Sequence, residues 1–463
     1  MIKLEVKGQV LQALEVAFPS SNCVKGLKTY TQQLALLILL DLCHGSSIWA
    51  IQKKVYRISL KKLRDSGGRL GKKHIHEWLR DNNYGLVKKL EEGNPFDGTL
   101  SLITLTDLVD LSIDIDLSST KQEETFELYF PKYSKLSQGE QTAKYDLLPV
   151  DLNSLHGYID SLPKNVNVLS AKNYSKLIKA VLVYNCAKHN NGYFPQKKLD
   201  PPSFFGRNYY SGLSIQNIKK DLRPHILGDC WEYDINSCVV TWKLGHAQEY
   251  LYSKYDYTAV EDSFLCSYAY VDQKKELIDE IKSDVFVDSE LDDIEQTSTI
   301  KEALTALNFG ARLTEYGYFN EFGKSQTPAL AKIFKDRTEL KRFNKCIFVT
   351  QFQKEQKILD TFILNEAIKN QPEIFTYPEL LTKSGRRNNK KVMSYLFQHA
   401  ETHVMDVVRS VALQNNLTIL ANIHDAIILK EDISEELLQQ IETAMQISTD
   451  NPYWKLGKKQ LVP

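Results

Sequence analysis

The sequence predicts an α+β fold, with many helices around a small antiparallel sheet. Two features of the chain carry that expectation. Leu417–Ile423 and Ala426–Leu429 are β-prone runs that meet at a tight turn, His424-Asp425, which is the pattern of a hairpin. Trp231–Ile235 is a third apolar, β-prone run, and it leads into helix-favouring sequence. Between and before these runs, apolar residues recur at helical spacing in Thr29–Cys43, Asn173–Cys186, Ile300–Gly310 and Ala400–Gln414.

The bulk properties bound what such a chain can do. Its 463 residues leave room for about three domains, or for one elaborate core with a smaller module. Apolar residues make up 43% and charged residues 25%, an ordinary balance for a globular protein with a sizeable core. The formal net charge is zero, so any hold on nucleic acid must come from local basic patches. Seven cysteines are scattered with no C-x-x-C pair, which argues against a zinc ribbon or a disulfide framework and fits a reducing compartment. Met1–Phe18 lacks the basic head and apolar run of a signal peptide. The apolar run Leu34–Leu42 is too short to span a bilayer. The expectation is a cytoplasmic protein with no membrane partner.

Residues 1–160 read as a mostly helical N-terminal module. Helical stretches at Thr29–Cys43, Ile48–Arg64 and Lys72–Asn82 are separated by glycine turns, and Lys53, Lys54, Lys61, Lys62, Arg64, Arg69, Lys72 and Lys73 lie among them. That pattern suits either a helical or winged nucleic-acid-binding module or a scaffold with a solvated basic face. Thr106–Asp151 reads as a linker or peripheral layer, and Glu276–Glu295 as an exposed helix-loop insert.

Four pieces carry candidate chemistry. Asp425 sits at the tip of the hairpin, and Asp234 near the end of the earlier strand. A half-buried carboxylate is costly unless paired or bound to metal. Two-metal phosphoryl transfer needs carboxylates from separate strands brought together. In Ile300–Gly310, Lys301, Thr305 and Phe309 are four apart and share one helix face. Lys301 could bind a triphosphate, and Phe309, with Gly310 after it, could stack near the sugar and base. The fourth piece is Ser203-Phe204-Phe205-Gly206-Arg207, followed by Gln216, Asn217 and Arg223, groups suited to a phosphate backbone.

The order of these pieces resembles the superfamily that joins DNA polymerase I (family A) with the phage-type single-subunit RNA polymerases. Ser203-x-x-Gly-Arg207 resembles its Thr/Asp-x-x-Gly-Arg block, and Ser214–Ile218 its Asn-Leu-Gln-Asn-Ile block. Tyr233-Asp234 falls where the first palm motif belongs, and Lys301–Gly310 is similar to the fingers helix. Thr402-His403, the helix to Gln414 and Ile423-His424-Asp425 resemble the last helix and palm motif. Together the blocks cover roughly residues 200–430. The resemblance implies a right-hand polymerase with palm, fingers and thumb. The thumb would lie at about 161–200, the palm at 201–242 and 401–463, and the fingers at 243–400. It implies two magnesium ions, with manganese as the alternative, held by Asp234 and Asp425. It also implies nucleoside triphosphates as substrate, and a template, DNA favoured, with the nascent strand as partners. By position, Gln398 and His403 would line the primer-terminus minor groove and His424 would flank the metals. Arg386 and Arg387, in a basic loop, would meet template phosphates.

Departures from the family pattern bear on the product. The fifth residue after the first aspartate is Val239, where family A has a glutamate that blocks the ribose 2′-hydroxyl. Ala426 follows His-Asp, where family A usually has glutamate. Both favour ribonucleotides. Phe309 in place of tyrosine, and the Gln-Asn-Ile block, point the other way. Matching Asn308-Phe309-Gly310 by text leaves Thr305 where the family has lysine, whereas matching the lysine-to-aromatic spacing keeps Lys301 in the triphosphate role. An RNA product is slightly favoured and a family A-like DNA polymerase is the runner-up. The rivals from other classes are a non-catalytic replication protein with a decayed polymerase fold, and a metal-dependent phosphohydrolase built on His424-Asp425.

Overall fold

The computed structural model describes residues 1–19, 22–43, 54–93, 100–117, 119–136, 138–254, 259–319 and 323–463. The chain divides into two compact units. One comprises residues 1–201, 209–230 and 460–463, the other 202–208 and 231–459. Among the described residues no helix is long and apolar enough to cross a membrane.

The first unit mixes helices with strands, where the sequence reading expected mostly helix over residues 1–160. Ile2–Val6 pairs antiparallel with Val109–Ile113. A three-stranded sheet runs in the order Val55–Ile58, Ser101–Leu105, Val87–Glu91. Tyr145–Pro149 pairs with Tyr193–Lys197. The helix expected over Ile48–Arg64 starts outside the described residues, as does Lys53. Its described part is the strand Val55–Ile58 and the short helix Leu60–Arg64. The reason is local: Val55, Tyr56 and Ile58 are buried while Arg57 is exposed, and β-branched and aromatic residues fit a half-buried pleat. Two helices, Cys23–Cys43 and Ala171–His189, fill this unit's interior with residues such as Leu34, Ile38, Ile178 and Val181. The buried Tyr56 and Tyr174 hydroxyls share a 2.8 Å hydrogen bond. Lys61, Lys62, Arg64, Arg69, Lys72 and Lys73 are all exposed.

The second unit is built on the expected small sheet. Its strands are β1 (Cys230–Ile235), β2 (Ile419–Ile423), β3 (Ala426–Leu429) and β4 (Leu456–Leu461), in the order β2-β3-β1-β4. The pairs β2-β3 and β3-β1 are antiparallel. The helices that position the site are α1 (Cys238–Gly245), α2 (Leu265–Asp272), α3 (Lys274–Val285), α4 (Asp293–Asn308), α5 (Ile347–Asn370), α6 (Asn389–Gln414) and α7 (Glu435–Thr449).

Each of these elements has a visible local cause. In α6, Val392, Phe397, Glu401, Val404, Met405, Val408 and Ala412 are buried, a spacing that keeps one stripe inward. Asn388 caps its start by accepting from Lys391 N at 3.3 Å. Its end is set where Asn416 turns left-handed, φ 57°. The helix is longer than the Ala400–Gln414 stretch read from the sequence. Ser434 and Asp292 cap α7 and α4 in the same way as Asn388. The α6 and α7 stripes share one apolar cluster with Tyr233, Ile235, Ile427 and Leu429 of the sheet. A second cluster joins α1 to α2, α3, α4 and α5. The stretch read as an exposed insert, Glu276–Glu295, contributes to it: Leu277, Ile278, Ile281 and Val285 are buried. Its many acidic residues lie on the opposite face and mask that stripe in a composition-based reading.

Tyr233 ties the sheet to the connection into α7. Its hydroxyl accepts from Ile433 N and donates to Asp432 Oδ1, both at 3.0 Å. Tyr233→Phe leaves the Ile433 N–H without its acceptor. It is expected to lower unfolding stability by about 1–2 kcal/mol, measured by urea denaturation with an unchanged m-value.

Candidate active site

The register of β1 on β3 brings the two aspartates together. Asp234 is the Cα partner of Ala426, and Ile235 N donates to the Asp425 carbonyl at 2.9 Å. Both side chains are half-buried. Asp425 follows His424, which closes the turn in a left-handed conformation, φ 50°. That conformation is uncommon outside glycine, but histidine is among the residues enriched there.

A third strand lies close to Asp234. On β4, a Cβ added at Gly457 would lie 2.8 Å from Asp234 Oδ1 and 2.7 Å from Asn236 Oδ1. Glycine at this position is what lets the Asp234 and Asn236 side-chain oxygens lie this close to the β4 backbone. Motif reading overlooked Gly457 because a lone glycine in a strand carries no such label.

Behind the pair lies a buried charge bracket. The Arg207 guanidinium grips Glu401 of α6 with two donors, Nε to Oε1 at 2.9 Å and a second nitrogen to Oε2. Its cation also sits 5.7 Å from the centroid of the Phe397 ring. Glu401 is 1% exposed. Burial pushes its pKa up, Arg207 pulls it back, and Asp425 adds to the rise. The Ser203–Arg207 loop reaches α6 because of Gly206. Its φ is +87°, and a Cβ there would sit 3.0 Å from His399 Nδ1. Phe204 packs on Tyr395 and Tyr377. The same charges surround Cys238. Burial raises its thiol pKa strongly, with Glu401, Asp425 and Asp234 adding and Arg207 opposing, so the thiol stays protonated.

The helix face expected from the spacing forms on α4. Lys301, Thr305 and Phe309 are all exposed, and Gly310 follows with φ 75°. The C-terminal end of α4 is held by two lysines. Lys243 of α1, 2% exposed, donates to the Asn308 carbonyl at 2.8 Å and pairs with Asp360 of α5 at 2.6 Å. Burial pushes the Lys243 pKa down and Asp360 opposes that. Lys390 donates to the Gly310 carbonyl at 3.1 Å. Cations suit the carbonyl end of a helix. The result is a cavity of about 160 Å³ lined by Val239, Phe309 and Gly310, with Trp242, Lys243, Asn308, Met393 and Phe397 among its other walls. Val239 and the Phe309-Gly310 pair, singled out separately for nucleotide contact, thus share one cavity.

The remaining candidates are more dispersed. Gln398 turns along its own helix, its Nε2 2.8 Å from Ser394 Oγ, and His403 is exposed. Arg386 and Arg387 are exposed in a structured turn, where Thr382 N donates to the Arg386 carbonyl at 2.7 Å and Arg387 stacks on Phe375. Gln216, Asn217 and Arg223 belong to the first unit. Asn217 closes a local turn on Ser214 and Gly212. Arg223 is 6% exposed and donates to the Ile218 carbonyl at 3.2 Å. It braces that turn from inside; the sequence pattern placed it among groups suited to a phosphate backbone.

Lys274, at the start of α3, was absent from every motif. It interacts electrostatically with Lys301, Asp234 and Asp425. Burial lowers its pKa most, Lys301 lowers it further, and the two aspartates oppose.

No family model matches the sequence, and no curated protein matches it either. Among solved structures, the chain is similar to the POL domain of Pol1 from M. smegmatis, determined in complex with DNA primer-template and dNTP. The identity is 13% and the TM-score 0.36, over 98% of this chain and 71% of that one.

Gly457→Ala is expected to push the Asp234 carboxylate aside. If the pair holds divalent ions, manganese titration should show an affinity lower by about ten-fold or more, as for other changes that reorient a ligand. Arg207→Met leaves Glu401 buried without its partner and should cost about 3 kcal/mol in urea unfolding. Adding Glu401→Gln should recover part of that loss.

Proposed function

We propose that the second unit is the catalytic core of a template-directed nucleic acid polymerase, which adds nucleotides to a 3′-hydroxyl and releases pyrophosphate. The observation that carries this is the pairing of β1 with β3, which puts Asp234 and Asp425 side by side at the strand ends. In this reading the sheet with α6 and α7 is the palm, and α2 to α5 belong to the fingers.

The residues present fit magnesium. Two half-buried carboxylates offer hard oxygen ligands. Magnesium typically binds through one or two carboxylates, keeps several waters and takes the rest of its ligands from phosphates. Bound there, a magnesium pair, with manganese as the alternative, would supply Lewis-acid activation of the attacking hydroxyl and neutralise charge on the phosphates.

The chain's own groups do the rest. Lys301 holds the triphosphate by charge-assisted hydrogen bonds. Phe309 and Val239 flank the sugar across the cavity they both line. The Arg207–Glu401 bracket fixes α6 behind the carboxylates. Arg386, Arg387, Gln398, His403 and His424 are available to the template and primer strands. Val239 presents no carboxylate toward a 2′-hydroxyl, so ribonucleotides are favoured on a DNA template, with deoxyribonucleotides as the runner-up.

Primer extension and de novo synthesis on defined DNA and RNA templates test this, with ribo- and deoxyribonucleotides supplied separately. Asp234→Ala and Asp425→Ala should each cut the rate by about a hundred-fold or more, because each removes several kcal/mol of transition-state stabilisation. Wild-type rates in either variant would sink the mechanism. Val239→Glu should shift preference toward deoxyribonucleotides.

A further inference from the structure

The proposed triphosphate site has one cation from α4, Lys301, and a neutral Thr305 one turn further along the same face. A triphosphate is a polyanion, and one exposed ammonium is a sparse counter-charge for it. A second cation comes from a different helix. Tyr270, near the end of α2, is buried and linked in two directions. Burial raises the pKa of its phenol, and an interaction with Thr305 opposes that rise. Its carbonyl is 3.5 Å from Ser237 Oγ, in the turn that follows Asp234. Lys274 lies one turn beyond, and its ammonium sits 5.0 Å from the centroid of the Tyr270 ring. The ring therefore holds this cation against the residue whose carbonyl meets the turn after Asp234. Among the described residues neither Lys274 nor Lys301 forms an ion pair with a carboxylate. The repulsion between the two lysines outweighs the pull of either aspartate on Lys274, an arrangement that an anion stabilises.

We propose that Lys274 is a second phosphate-binding residue of the site, sharing the β- and γ-phosphates of the incoming nucleotide, and then the pyrophosphate product, with Lys301. This rests on the polymerase reading for the identity of the substrate. The anion site itself rests on the placement of Lys274.

The probe is inorganic pyrophosphate with magnesium, titrated into the full chain and into Lys274→Met, Lys274→Arg and Lys301→Met. Lys274→Met is expected to weaken binding by about ten-fold or more, the loss typical of a charge-assisted hydrogen bond. Lys274→Arg, which keeps the charge, should recover most of it. In primer extension the Lys274→Met change should appear mainly in KM for the nucleotide, with a smaller change in kcat. A loss of packing on Tyr270 alone would lower the melting temperature without this pattern of arginine rescue. If Lys274→Met unfolds, Lys274→Gln keeps the aliphatic stem over the ring and serves the same comparison. Wild-type pyrophosphate affinity in Lys274→Met, or no pyrophosphate binding by the wild type, overturns the proposal. Primer extension with an unchanged KM in Lys274→Met also overturns it and leaves the polymerase reading standing. Pyrophosphate binding through Lys274 in a chain that extends no primer on any template overturns the polymerase reading and leaves the anion site.

Discussion

The antiparallel register of β1 on β3 is the constraint on which the rest of the second unit depends. Side chains alternate across a strand, so a slip of one residue would turn Asp234 to the buried face that Tyr233 and Ile235 now occupy and turn those two out of it. The apolar cluster beneath the sheet prevents that slip. Tyr233, Ile235, Ile427 and Leu429 are all committed to it, and exchanging Tyr233 for Asp234 there would bury a charge without a partner. Hydrophobic burial thus holds the two carboxylates in place, although neither takes part in it.

Around this register the structure arranges charge in layers. The innermost charges are neutralised within the protein: Arg207 on Glu401, and Lys243 on Asp360. Removing one partner of such a pair leaves a buried charge uncompensated, so each pair acts as a rigid pin. Arg207 pins the Ser203–Arg207 loop to α6, and Lys243 pins α1 to α5 and to the end of α4. Lys274 and Lys301, by contrast, have no carboxylate partner of their own among the described residues. In the proposed reading, the buried pairs hold the scaffold and the unpaired cations are left for substrate phosphates.

Much of the site was legible because its signals are local. A turn between two β-prone runs, a strand entering a helix, and residues four apart on a helix are all visible within a dozen positions. Each of these formed: β2-β3 with Asp425 at its turn, β1 entering α1, and the exposed Lys301–Thr305–Phe309 face. The strands of the first unit were missed because short runs such as Val55–Ile58 and Val109–Ile113 lie between helices and basic turns that dominate a periodicity reading. The burial of Arg223 was not legible because an arginine near polar residues looks the same in sequence whether it faces solvent or braces a loop from within.

By itself, the sequence determined which residue types stand at each local landmark: the two aspartates, the lysine and aromatic of α4, and Val239 five positions after the first aspartate. Only the tertiary structure decided what surrounds them. Glu401 as the partner of Arg207, Gly457 as the close neighbour of Asp234, Lys243 as the cap of α4, and Lys274 over Tyr270 are contacts between elements far apart in the chain. They follow from how helices and strands pack, and packing of distant elements leaves no periodicity or spacing in the residues that make the contact.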